Sequence, residues 1–193
     1  MRITLLILFM ISPAFAQTEP SGCASDAGIQ MTDASSVQGD KIKITIATGG
    51  EPYGPAKNTF RRGERVPLVI TMTNTGSEPV YVCGSDTIYQ DRPQLIKDGK
   101  VIPYMPFRQS GMLAAERDKT CDELNLPEQI LLRPNEPTVV DWFVLVKGAT
   151  SLYDNGWYDP LPAGKYTLSN RRRLSSCDGP LSPTNTISFV VVP

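Results

Sequence analysis

The 193-residue sequence predicts an all-β protein built as an antiparallel sandwich of about eight short strands, with one long irregular loop at 105–126. Three observations lead there. Apolar residues alternate with period two in short runs, as half-buried strands require. Fifteen glycines and seventeen prolines exceed the usual combined share of about 12% and fall largely between those runs. Asp98-Gly99 separates two such runs, and this pair favours the tight primed turn of a β-hairpin.

The chain opens on a different pattern. Met1-Arg2 supplies a positive start, Ile3 to Ile11 is an apolar stretch, and Ala14-Phe15-Ala16 places small residues where a signal peptidase cuts. Residues 1–16 are therefore expected to be a secretory signal peptide, and the stretch is far short of the ~20 residues a membrane span needs. No later stretch reaches that length either. Residues 17–39 are small and polar and read as a flexible leader. A single domain is expected over 40–193, where neither a linker nor a repeat interrupts the pattern.

Within that domain each element has its own signal. Lys41 to Ile46 alternates cleanly. Val66, Leu68, Ile70 and Met72 share a face, and Pro67 implies an edge or first-residue position. Asn74-Thr75-Gly76-Ser77 is a turn, followed by a strand with Val80 and Val82 opposite Tyr81. Gln94–Lys97 and Lys100–Tyr104 flank the hairpin turn. Within 105–126, Gly111 to Glu123 has room for a short helix. Gln129–Leu132, Thr138–Val146, Lys165–Arg171 and Thr186–Val192 complete the strands. Trp142 and Phe143 are adjacent in a strand, so one faces the core and the other does not.

Cys23, Cys83, Cys121 and Cys177 form an even set with no CxxC spacing. In an exported chain this favours two disulfides over a redox dithiol or a zinc knuckle. Three pairings are open; the layout leans to Cys83–Cys121 with Cys23–Cys177. A lipid anchor at Cys23 is the lesser alternative, because the apolar stretch ends well upstream of it.

Two segments carry a resemblance. Phe60 to Asn74 runs from a Gly-Glu turn into a strand ending Thr-Asn, and Leu161-Pro162-Ala163-Gly164-Lys165-Tyr166 looks like a tyrosine corner. With the closing strand, these make residues 40–193 similar to bacterial immunoglobulin-like sandwiches, and to the intracellular proteinase inhibitor (BsuPI) type among them. The resemblance implies an immunoglobulin-like fold, and its founding type implies proteinase inhibition. No inhibitory motif carries over residue by residue.

The chain contains no histidine. That excludes Ser-His-Asp and Cys-His nucleophiles and the zincin motifs. No nucleophile elbow and no phosphate loop occurs, and neither a cofactor nor a metal site is expected. A formal charge of −1 gives no footprint for nucleic acid. Glu116, Asp118, Asp122 and Glu123 offer carboxylates for a hydrolase or a calcium site, but interleaved Arg117 and Lys119 favour a solvated loop. Asp154, Asn155 and Asp159 miss the EF-hand spacing. Arg171-Arg172-Arg173 reads as a solvated strand edge ahead of an acidic-partner patch. Tyr153, Trp157 and Tyr158 lie within one loop and are the candidate binding residues, as an exposed aromatic tip; the competing arrangement folds them inward over the core. The expectation is a secreted or periplasmic binding module, not an enzyme, with a protein or envelope component as partner.

Overall fold

A computed structural model describes residues 41–49, 54–84, 87–118, 128–150, 155–174 and 180–193. Ten strands and two helices are present among them. The strands are β1 (Ile42–Thr48), β2 (Thr59–Arg61), β3 (Val66–Asn74), β4 (Val80–Gly84), β5 (Gln94–Lys97), β6 (Lys100–Val101), β7 (Glu128–Leu132), β8 (Pro137–Val146), β9 (Gly164–Arg173) and β10 (Leu181–Val192). The helices are α1 (Thr87–Gln90), between β4 and β5, and α2 (Pro106–Asp118), between β6 and β7.

One sheet has the order β1-β3-β8, a second has β2-β10-β9-β5-β6, and β4 with β7 forms a small third. The pairs are antiparallel except β2 with β10, which is parallel. The two larger sheets supply one continuous core. Ile44, Leu68, Ile70 and Phe143 belong to the first sheet, and Leu95, Tyr166, Leu168 and Phe189 to the second. This is the expected immunoglobulin-like β-sandwich.

Local chemistry explains the layout. β1 buries Ile42, Ile44 and Ile46 and exposes Lys43, as its alternation requires. Pro67 lies in the central strand of its sheet, not at an edge, and is accommodated by a register shift between Val66 and Pro67. Asp98 and Gly99 have φ of 51° and 75°, joining β5 to β6 by the expected two-residue turn. The Tyr166 hydroxyl donates to the Pro162 carbonyl at 2.6 Å, which is the tyrosine corner, and its ring stacks on Phe189 with centroids 5.4 Å apart. The Asn185 side chain pairs with the backbone of Ile46, accepting from its N–H at 2.7 Å and donating to its carbonyl at 3.2 Å. It thereby ties β10 of one sheet to β1 of the other.

Gly49 ends β1 with φ of 81°, and a Cβ there would lie 2.5 Å from the Pro55 carbonyl oxygen. Gly49→Ala is therefore expected to destabilise the domain by more than the ~1 kcal/mol of an ordinary glycine change. A lowered urea midpoint at unchanged slope would show it.

The long segment after β6 differs from expectation. It holds a 13-residue helix that starts earlier than the sequence suggests. Pro106 occupies its first turn, where a missing N–H costs nothing. The Arg108 guanidinium donates to the carbonyls of Gly156 and Asn155 and lies 5.5 Å from the Trp157 ring, fixing that first turn against the body. Residues 119–127 lie outside the described residues. Among the described residues no helix is long and apolar enough to cross a membrane.

Candidate functional site

β9 lies between β10 and β5, so both of its edges are paired along part of its length. Tyr166, Leu168, Asn170 and Arg172 point inward and are buried, whereas Thr167, Ser169 and Arg171 are turned the other way. Each face carries its own polar arrangement.

The inner one is a buried ionic network. Arg172 is 0% exposed, and its Nη1 donates to Asp91 and, at 2.9 Å, to Asp141, while its Nη2 donates to Gln90 Oε1 at 2.6 Å. The Asn170 amide donates to the second Asp91 oxygen at 2.7 Å. Asp91 is itself fully buried between α1 and β5. Burial pushes its carboxyl up from 3.8 to about 6, against the opposing pull of Arg172; Asp141 adds to the rise. The Arg172 Nε is buried with no hydrogen-bond partner among the described residues.

This network corrects the reading of Arg171-Arg172-Arg173 as a solvated edge. β9 is an interior strand, and its middle arginine is the most buried charge of the three. A pH dependence follows from Asp91. Below about 3.8 the carboxyl is protonated whether the chain is folded or not. Between there and about 6 the folded chain holds the proton and the unfolded chain does not, so stability falls as pH rises through this window. Thermal midpoints across it are expected to show this slope in the native chain, and Asp91→Asn to lack it.

The outer arrangement is a cleft of about 530 Å³ between the β5–β9 face and α2. Gln94 and Ser169, register partners on β5 and β9, lie on its strand side with Arg171 beyond them. Met112 and Glu116 contribute from α2. Tyr104 and Arg92 complete the lining. Arg92 is only 5% exposed. Its Nε donates to Glu116 at 3.1 Å and its Nη1 to the carbonyls of Ile88 and Asp91, each at 2.7 Å. Burial pushes the Tyr104 phenol up, and the guanidinium charges of Arg92 and Arg171 pull it back. Both cations therefore act on the same hydroxyl.

The aromatic residues singled out in the sequence are not an exposed tip. Trp157 is 0% and Tyr158 1% exposed; Tyr153 lies outside the described residues. The backbone N–H groups of both buried residues donate to the Leu145 carbonyl at 2.9 Å, which holds the segment against β8 and turns the rings inward. Trp157 packs edge-on against Tyr104 with centroids 5.2 Å apart. The Tyr158 hydroxyl donates to the Pro93 carbonyl at 2.8 Å and accepts from the Leu95 N–H at 3.1 Å, bracing the start of β5. Both rings touch Tyr104 and so stand behind the cleft. The exposed tryptophan is Trp142, 48% accessible on β8.

Of the loop carboxylates, Glu116 faces the cleft and Asp118 ends α2; Asp122 and Glu123 lie outside the described residues. Asp159 pairs with Lys147 at 2.9 Å, and Asp154 is outside the described residues. Cys83 sits in β4 opposite Gln129, while Cys23, Cys121 and Cys177 fall outside the described residues. Among the described residues no group of three or more His, Cys, Asp or Glu is placed to hold a metal ion.

No family model matches the chain, and no curated protein sequence matches it. Solved structures give remote likenesses. The CARDB domain of the PF1109 protein from Pyrococcus furiosus, in complex with di-metal ions, is 10% identical with a TM-score of 0.34, covering 78% of this chain and 92% of that one. A β-glucosidase from Listeria innocua in complex with glucose is 11% identical with a TM-score of 0.33, covering 79% and 16%. The alkylpurine DNA glycosylase AlkC from Pseudomonas fluorescens, bound to DNA containing an abasic site analog, is 12% identical with a TM-score of 0.33, covering 81% and 34%. The chain thus spans only a small part of the latter two proteins.

Proposed function

We propose that the chain is an exported, non-catalytic binding module that engages an envelope component at the cleft between α2 and the β5–β9 face. One observation carries this reading. Polar and charged groups from two strands, a helix and the segments between them converge on one concavity, which a rigid sandwich holds in place. Its volume lies within the range of about 300–1,000 Å³ typical of ligand pockets. Export rests on the N-terminal pattern of residues 1–16, and the two disulfides on the even cysteine count in such a compartment. The proteinase inhibitor type enters only through its similar strand layout.

Immobilised chain lacking residues 1–16 is expected to retain a component of its own envelope fraction. Arg171→Glu, which reverses a charge on the cleft without touching the core, is expected to abolish retention. Equal retention by the variant would place recognition elsewhere on the surface.

A further inference from the structure

The cleft holds two guanidinium groups with donors to spare. Arg171 lies at its margin with its side chain exposed, and no carboxylate among the described residues pairs with it. Arg92 is nine-tenths buried, and its Nε and Nη1 are engaged. Its Nη2 has no partner among the described residues, on a side chain that lines the cleft. The Tyr104 hydroxyl and the Gln94 and Ser169 side chains bring further hydrogen-bonding groups. Met112 and the Tyr104 ring supply an apolar wall. Among the described residues Glu116 is the one acidic side chain on the lining, and Arg92 already holds it. The described lining therefore carries a net positive charge.

We infer that this cleft binds a small ligand through a carboxylate or phosphate group, held between Arg171 and Arg92 with its body against Met112 and Tyr104. Planar guanidinium forks match both oxyanions, and partial exclusion of water strengthens the pairing. Arg92 is preorganised, because its backbone contacts already fix the guanidinium, so little rotamer freedom is lost on binding. Glu116 competes with the ligand for Arg92 and sets the affinity. This inference rests on the cleft being the recognition site, and it names the group recognised there.

The test uses the full mature chain carrying Trp142→Phe, which leaves Trp157 as the only tryptophan, in edge contact with Tyr104. Benzoate, phenyl phosphate and neutral benzamide are titrated while Trp157 emission is followed. Benzoate or phenyl phosphate is expected to produce a saturable change, and the tighter of the two assigns the oxyanion. Benzamide is expected to bind at least tenfold more weakly. Arg171→Gln is expected to weaken binding at least tenfold at unchanged thermal midpoint, and Glu116→Gln to tighten it several-fold by removing the competing charge. Benzamide binding as well as benzoate, unchanged affinity in Arg171→Gln, or no saturable change with any probe would overturn the inference. Envelope retention that depends on Arg171 alongside silent probes would leave the cleft as the recognition site and remove only the oxyanion.

Discussion

Asp91→Ala is expected to cost the domain about 3–5 kcal/mol, the range for removing one partner of a buried ion pair. The substitution leaves the fully buried Arg172 guanidinium with Asp141 and Gln90 alone, and leaves the Asn170 amide without its carboxylate. Domains of this kind are stable by about 5–15 kcal/mol, so the loss is a large share of the total. The raised Asp91 carboxyl adds a second expectation. Burial costs this group more than its partners return, and the pair is therefore not a net source of stability compared with apolar residues. The double variant Asp91→Leu with Arg172→Met should accordingly be less destabilised than the sum of the singles. Urea unfolding of the four chains measures that coupling. Additive losses would show that the two side chains do not act as a pair.

Trp157→Ala is expected to cost about 3–5 kcal/mol, the usual range for truncating a large buried aromatic. The ring touches Tyr104 and Phe143 and lies beneath the Arg108 guanidinium, so its loss opens a cavity where β8, α2 and the segment before α2 meet. Its Nε1 is buried without a hydrogen-bond partner among the described residues, so Trp157→Phe forfeits packing but no hydrogen bond there and should cost clearly less. The two substitutions also differ in their effect on binding. Alanine removes the support behind Tyr104 and should weaken benzoate binding under conditions where the chain is still folded. Phenylalanine keeps a ring in place and should largely retain it. Calorimetric unfolding together with the probe titration separates these effects.

The strands were legible because burial on one face leaves a period-two trace that no distant contact needs to confirm. The alternation of Ile42, Ile44 and Ile46, the Asp98-Gly99 turn and the Tyr166 corner are local patterns, and the structure follows them. β2 was missed because three residues, Thr59–Arg61, are too few to show a period. α2 was read as largely irregular because Ser110-Gly111 interrupts it and Phe107 and Leu113 stay exposed, so no continuous apolar stripe marks the helix. For Trp157 and Tyr158 the sequence leaves two arrangements open, an exposed tip and an inward fold over the core, and the structure has the inward one. Their orientation depends on backbone bonds to Leu145 on another strand, which no local pattern records.

The buried network has a local signal in β9. Counting by twos from Tyr166 through Leu168 and Asn170 places Arg172 on the core face, so a buried cation in need of a partner follows from the strand itself. The partner could not be named, because Asp91 lies 81 residues away. The cleft was less legible still. Arg92 and Tyr104 precede α2, Glu116 lies within it, and Ser169 and Arg171 belong to β9. Only the stacking of a helix on a sheet brings them together.

The most direct measurement is amide chemical-shift mapping of the isotopically labelled mature chain during titration with benzoate. Recognition at the cleft predicts shifts concentrated on Gln94, Tyr104, Met112, Ser169 and Arg171, saturating together with one affinity and vanishing in Arg171→Gln. Shifts confined to residues 151–160, or scattered over the surface without saturation, would contradict it.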